Sequence, residues 1–116
     1  MSNKIKIYHN PRCKHSRNGL AYLEEKTSDI EIIKYLNDGI TEEEIKEILL
    51  KMHKKPSEIV RTQEAIYKAN YKGKTFNDDE WIKIITENPK LIQRPIVIGK
   101  YKAVIANPPE NIDSIL

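Results

Sequence analysis

The chain has a single cysteine among its 116 residues. An internal disulfide is therefore excluded, and oxidation of that thiol has to pass through an outside thiol, another chain or a sulfenic acid. No apolar run approaches the roughly 20 residues that a membrane-spanning helix needs. The opening Met1-Ser2-Asn3-Lys4-Ile5-Lys6 lacks the apolar core of a secretory leader, so a cytoplasmic protein is expected. A clustered basic stripe and interleaved aromatics are missing too, which argues against direct nucleic-acid binding. The net charge of +3, from 20 basic and 17 acidic residues, reads as spread along the chain and favours an anionic ligand only weakly. With no repeat, low-complexity tract or linker, the length fits one domain over residues 1–116. Its 39% hydrophobic residues, regularly patterned, are too many for a disordered chain.

Periodicity supplies the elements. Residues 4–8, Lys-Ile-Lys-Ile-Tyr, alternate as a strand does, and His9-Asn10-Pro11-Arg12 ends it because Pro11 brings no ladder donor. A helix is expected from Lys14 to Glu25, with Leu20 and Leu23 inward and Gly19 allowing close packing. Isoleucine-rich Ile30 to Leu36 reads as a second strand. Strand, helix and strand form a right-handed crossover with parallel strands, which places Cys13 at the carboxyl end of the first, the edge that sites in open α/β sheets favour. Thr41 with Glu44 and Asn77 with Glu80 are capping boxes; Pro56 restarts a helix between them, and Pro89 stops the last, so residues 41–88 read as wholly helical. Pro95 to Ile98, a tight Gly99-Lys100 turn and Tyr101 to Ala106 read as a β-hairpin, and Glu110 to Leu116 as a final short helix. This order is that of an α/β thioredoxin-like domain with a helical insert at about 41–88.

The chemistry collects at Cys13. A helix start and nearby cations lower a thiol from about 8.5 to roughly 3.5–7.5. Arg12 and Lys14 flank Cys13, Arg17 lies one turn on, and His9 and His15 are close. Ser16 is placed to donate a hydrogen bond to the sulfur. The amides that stabilise a thiolate would also hold an oxyanion. The ordinary alternative is a buried cysteine acting as a small apolar filler.

The segment His9-Asn10-Pro11-Arg12-Cys13-Lys14-His15-Ser16-Arg17-Asn18 resembles the active-site loop of the glutaredoxin-fold, ArsC-type arsenate reductases, with its His-x3-Cys-x3-Arg pattern. The likeness extends through Tyr8, Ile33-Lys34-Tyr35-Leu36, Arg61 and Leu91-Ile92-Gln93-Arg94-Pro95-Ile96-Val97. It implies a thioredoxin/glutaredoxin-like fold and a Cys13 thiolate that attacks arsenate. It implies no bound cofactor, glutathione or another small thiol as co-substrate, and a glutaredoxin-like partner as final reductant. Arg61 and Arg94 would bind the oxyanion, as guanidinium forks suit it, and Pro95 would be the cis proline facing the nucleophile. Read alone, Arg61 is a solvated helix residue and Pro95 a strand-start proline. The pattern departs at Asn107, where the family's reductases carry a third pocket arginine; an amide still donates a hydrogen bond but brings no charge.

The same superfamily includes Spx-type regulators that bind RNA polymerase and sense oxidants through a Cys-x-x-Cys pair. Ser16 occupies the second position here, so that disulfide switch is absent while a polymerase-binding role stays open. A monothiol glutaredoxin-like protein is the other alternative. His9, Cys13 and His15 crowd three ligands into one turn without a distant fourth, so no metal site is expected.

Overall fold

The computed structural model describes residues 4–116; Met1 to Asn3, part of the leader reading, lie outside the described residues. The described residues divide into two compact units, residues 4–38 with 94–116 and residues 39–93. The first carries a four-stranded sheet of order β2-β1-β3-β4, built from β1 (Ile5–Tyr8), β2 (Ile30–Ile33), β3 (Ile96–Ile98) and β4 (Ala103–Ile105). β1 runs parallel to β2 and antiparallel to β3, and β3 is antiparallel to β4. This is the thioredoxin-like α/β arrangement, with the helical insert between its halves.

Helix α1 (Lys14–Lys26) crosses from β1 to β2. Ile7 and Val97 of the sheet, Leu23 of α1, Ala106, and Ile112 of the closing 3-10 helix Pro109–Ile115 form a buried cluster, with Leu20 packed at its margin. The final short helix is thus present, as a 3-10 helix. Gly19 sets how closely α1 approaches this layer: a Cβ there would stand 2.6 Å from Pro95 Cγ and 3.5 Å from Ala106 Cβ.

Two expected boundaries move by more than one residue. The second strand stops at Ile33 rather than Leu36, and Tyr35–Asp38 forms a single helical turn, α2. The amides of Asn37 and Asp38 both reach back to the Lys34 carbonyl, and Gly39 leaves the turn at φ +83°. The hairpin turn is longer than Gly99-Lys100, because the Gly99 amide bonds the Lys102 carbonyl at 2.8 Å and pairing resumes only at Ala103. Tyr101 consequently sits in the loop, exposed, and not in the strand.

The second unit holds α3 (Glu42–Met52), α4 (Ala65–Asn70) and α5 (Asp78–Glu87). Both capping boxes form, with Thr41 and Glu44 exchanging bonds of 3.1 Å and Asn77 and Glu80 bonds of 2.8 and 2.9 Å. Residues 41–88 are nevertheless not wholly helical. Pro56–Ile59 is one 3-10 turn, and Val60 is extended, bridging antiparallel to Ile92. A backbone bound sideways cannot continue a helix: the Gln93 amide donates to the Ile59 carbonyl and the Arg61 amide to the Leu91 carbonyl. Adjacent β-branched Ile59 and Val60 favour this extended state. Around the start of α5, Phe76 meets Tyr71 and Trp81 edge-on, and the Tyr71 and Trp81 rings are tilted to one another.

The Gly19 contact generates a prediction. Gly19→Ala gains about 1 kcal/mol of helix propensity, but the Pro95 ring cannot swing aside, and overpacking of this kind costs about 1–3 kcal/mol. Urea unfolding should show a net loss of up to about 2 kcal/mol; a raised midpoint would contradict the close approach.

Candidate active site

Strand register decides which residues meet. Tyr8 stands opposite Ile33 of β2 and Ile96 of β3, and Ile96 stands opposite Ile105 of β4. The chain leaving β1 (His9 to Cys13), the residue leaving β2 (Lys34), those entering β3 (Arg94 and Pro95) and those leaving β4 (Ala106 and Asn107) therefore share one sheet edge. The Ala106 amide donates to the Pro95 carbonyl at 2.8 Å. The Arg94–Pro95 and Asn107–Pro108 peptide bonds are both cis.

Cys13 is the N-cap residue of α1, half-buried, with its thiol free. The turn before it is closed by the Cys13 amide on the Asn10 carbonyl at 3.0 Å and by the Arg12 amide on Asn10 Oδ1 at 3.1 Å. Partial burial pushes the thiol up, but a hydrogen bond from Arg94, the Ser16 amide, the Arg94 charge and the His15 amide together outweigh it. The thiol ends below its ordinary value, so the thiolate is favoured.

This assigns several residues differently from their sequence positions. The cation at the sulfur is Arg94, distant in sequence, whereas Arg12, Lys14, His15 and Arg17 are exposed. Arg17 Nη1 donates to the Pro11 carbonyl at 2.9 Å and so braces the loop. The Ser16 hydroxyl, expected on the sulfur, is fully buried and bound elsewhere: Oγ lies 2.7 Å from His9 Nδ1 and accepts the Asn10 amide at 2.9 Å. Its backbone amide, not its hydroxyl, serves Cys13.

His9 is buried, and its pKa is lowered first by that burial, then by Lys34 and Arg17, against weaker opposite contributions from Glu24 and Ser16. A neutral ring with its proton on Nε2 accepts the Ser16 hydroxyl proton at Nδ1, leaving the hydroxyl oxygen to accept from Asn10. His9 is thus a neutral acceptor, not a cation for the thiolate. Asn107 is exposed at the same edge.

Arg61 belongs to the other unit. It follows the Val60 bridge, and its Nε pairs with Glu64 Oε1 at 3.2 Å, so it is neither a helix residue nor freely solvated. The i,i+3 spacing of Arg61 and Glu64 was a readable signal for that pair. The amides of His15 and Ser16 had no side-chain signal beyond the helix start itself, and the effect of the Lys34 charge on His9 needed the β1–β2 register. Among the described residues no three His, Cys, Asp or Glu side chains converge on a metal position, and no helix is long and apolar enough to cross a membrane.

The ArsC family model matches residues 8–115. The arsenate reductase of Neisseria meningitidis serogroup A is 35% identical, over 97% of this chain and 98% of its own length. That of Haemophilus influenzae is 38% identical, over 95% of this chain and 97% of its own. The solved arsenate reductase from Vibrio cholerae superposes with a TM-score of 0.92 at 35% identity, with each chain fully covered.

The His9 environment predicts a pH effect of definite sign. With its folded pKa below 6.5, His9 binds fewer protons folded than unfolded, so its contribution is intact at neutral pH and is lost on acidification through the unfolded value of about 6.5. Urea midpoints taken between about pH 7 and pH 5 should fall more in the wild type than in His9→Asn. Equal slopes would contradict a buried neutral imidazole.

Proposed function

Because the chain belongs to the ArsC family, we propose that it is a single-domain, cytoplasmic, thiol-dependent oxidoreductase of the arsenate reductase type, with Cys13 as its nucleophile. The observation that carries this reading is the thiol held below its ordinary value by Arg94 and two helix amides at the carboxyl edge of the sheet. A thiol lowered in this way carries a larger thiolate fraction at neutral pH, and the thiolate is the attacking form.

The Cys13 thiolate attacks arsenic(V), forming an S–As bond while an arsenate oxygen leaves as water. A small thiol such as glutathione then attacks the Cys13 sulfur. The S–As electron pair departs with arsenic, giving arsenite, and a Cys13–glutathione disulfide remains: two thiols are oxidised and one arsenic is reduced by two electrons. A glutaredoxin-like dithiol returns Cys13 to the thiolate.

Arg94 serves twice in this scheme, first on the sulfur and then on the oxyanion. Pro95 and Gly19 fix the approach of β3 to α1, His9 and Ser16 hold the loop, and Arg17 braces it. Asn107 contributes an amide donor where a third guanidinium would add charge.

The test is arsenate-dependent glutathione oxidation with glutaredoxin present. Wild type should turn over and Cys13→Ser should not. Asn107→Arg should raise kcat/KM for arsenate about tenfold, since a charge-assisted hydrogen bond adds about 1.5 kcal/mol or more. Absence of turnover in both the wild type and Asn107→Arg would overturn the reading.

A further inference from the structure

The cations that flank the nucleophile in sequence are not the ones that hold its charge. Arg94 and two amides act on the sulfur, while the side chains of Arg12, Lys14, His15 and Arg17 are exposed on the loop and the first turn of α1. Nor is the chain's charge spread evenly, as its composition suggested. Residues 1–23 contain five lysine or arginine side chains and no aspartate or glutamate, which exceeds the net +3 of the whole protein. Acidic residues begin only at Glu24 and Glu25, about two turns beyond Arg17 along α1.

We propose that Arg12, Lys14, His15 and Arg17 form a basic collar around Cys13 that docks a protein thiol reductant whose own active-site face is acidic. The inference rests on the reading of Cys13 as a nucleophile that ends its cycle as a mixed disulfide. Three permanent, exposed charges within four residues of Cys13 exceed what a single small anionic thiol would neutralise, and match an extended acidic face. Between Arg12 and Asn18 there is no aliphatic, Phe, Tyr or Trp side chain to enter a bilayer or stack on a base. The group at the collar's centre is instead one that a thiol partner has to reach. Opposite potentials on two such faces steer encounter and fix orientation. In the docked pair the partner's thiolate attacks the small-thiol sulfur of the Cys13 disulfide. A partner–small-thiol S–S bond forms, the Cys13 S–S bond breaks, and Cys13 departs as the thiolate that Arg94 stabilises.

The experiment needs no arsenate. Cys13 is first charged with glutathione, and its release is timed with two glutaredoxins, one with an acidic and one with a basic active-site face, and with dithiothreitol. The acidic-faced protein should react about 10- to 100-fold faster than the basic-faced one at low salt, an advantage that shrinks steeply with ionic strength. The double variant Arg12→Glu, Lys14→Glu should lose that advantage, while its dithiothreitol rate stays within about twofold of wild type, as expected if steering alone is lost. Equal rates with both proteins, no salt dependence, or an advantage that survives the double reversal would each overturn the collar, whether or not arsenate is reduced in the separate assay. Binding of the Cys13→Ser protein to duplex DNA or phosphatidylserine vesicles that blocks the acidic reductant would also overturn it, by assigning the collar to that surface.

Discussion

The pairing of the Cys13 sulfur with Arg94 is the interaction on which the rest depends, because a partly buried sulfur anion has to recover from fixed donors the hydration it gives up. Burial alone would have raised this thiol and left it inert. What reverses the sign is one guanidinium from the segment entering β3 and two amides from the first turn of α1. Neither source suffices as a location: they come from opposite ends of the chain and meet because β1 and β3 pair with Tyr8 opposite Ile96.

The remaining polar groups of the loop keep that meeting fixed. Buried polar atoms are tolerable only when satisfied, and the Ser16 hydroxyl, the His9 ring and the Asn10 amide satisfy one another. The arrangement holds the strand end against the helix start, so the amides behind Cys13 keep their aim. It also explains why a serine suits position 16: a hydroxyl both donates and accepts, which a neutral imidazole and a backbone amide together require. Gly19 works on the same problem from the other side, by letting α1 lie against Pro95.

Much of this was legible in the sequence where the signal is local. Alternation marked β1, the capping pairs Thr41/Glu44 and Asn77/Glu80 marked two helix starts, and Pro11 marked the loop that delivers Cys13. The failures share a physical cause: they lie where a long-range partner overrides local preference. Ile59 and Val60 leave the helical state because Leu91 to Gln93 offer backbone partners, and β2 stops at Ile33 because Asn37 and Asp38 fold back on Lys34. At the site, reasoning by sequence neighbourhood chose Arg12 and Lys14 for the thiolate, when register assigns that task to Arg94. It likewise gave the Ser16 hydroxyl to the sulfur, because the demand of buried His9 was invisible without the fold.

The central claim is that Arg94 turns a thiol that burial would raise into one that lies below its ordinary value, and the alkylation rate of Cys13 by iodoacetamide as a function of pH tests it most directly. In the wild type the rate should titrate with a midpoint clearly below the ordinary thiol value of about 8.5. In Arg94→Gln the midpoint should move above the wild-type value by a unit or more, about 1.4 kcal/mol. A wild-type midpoint at or above about 8.5, or an Arg94→Gln profile that superposes on the wild type, would contradict the account.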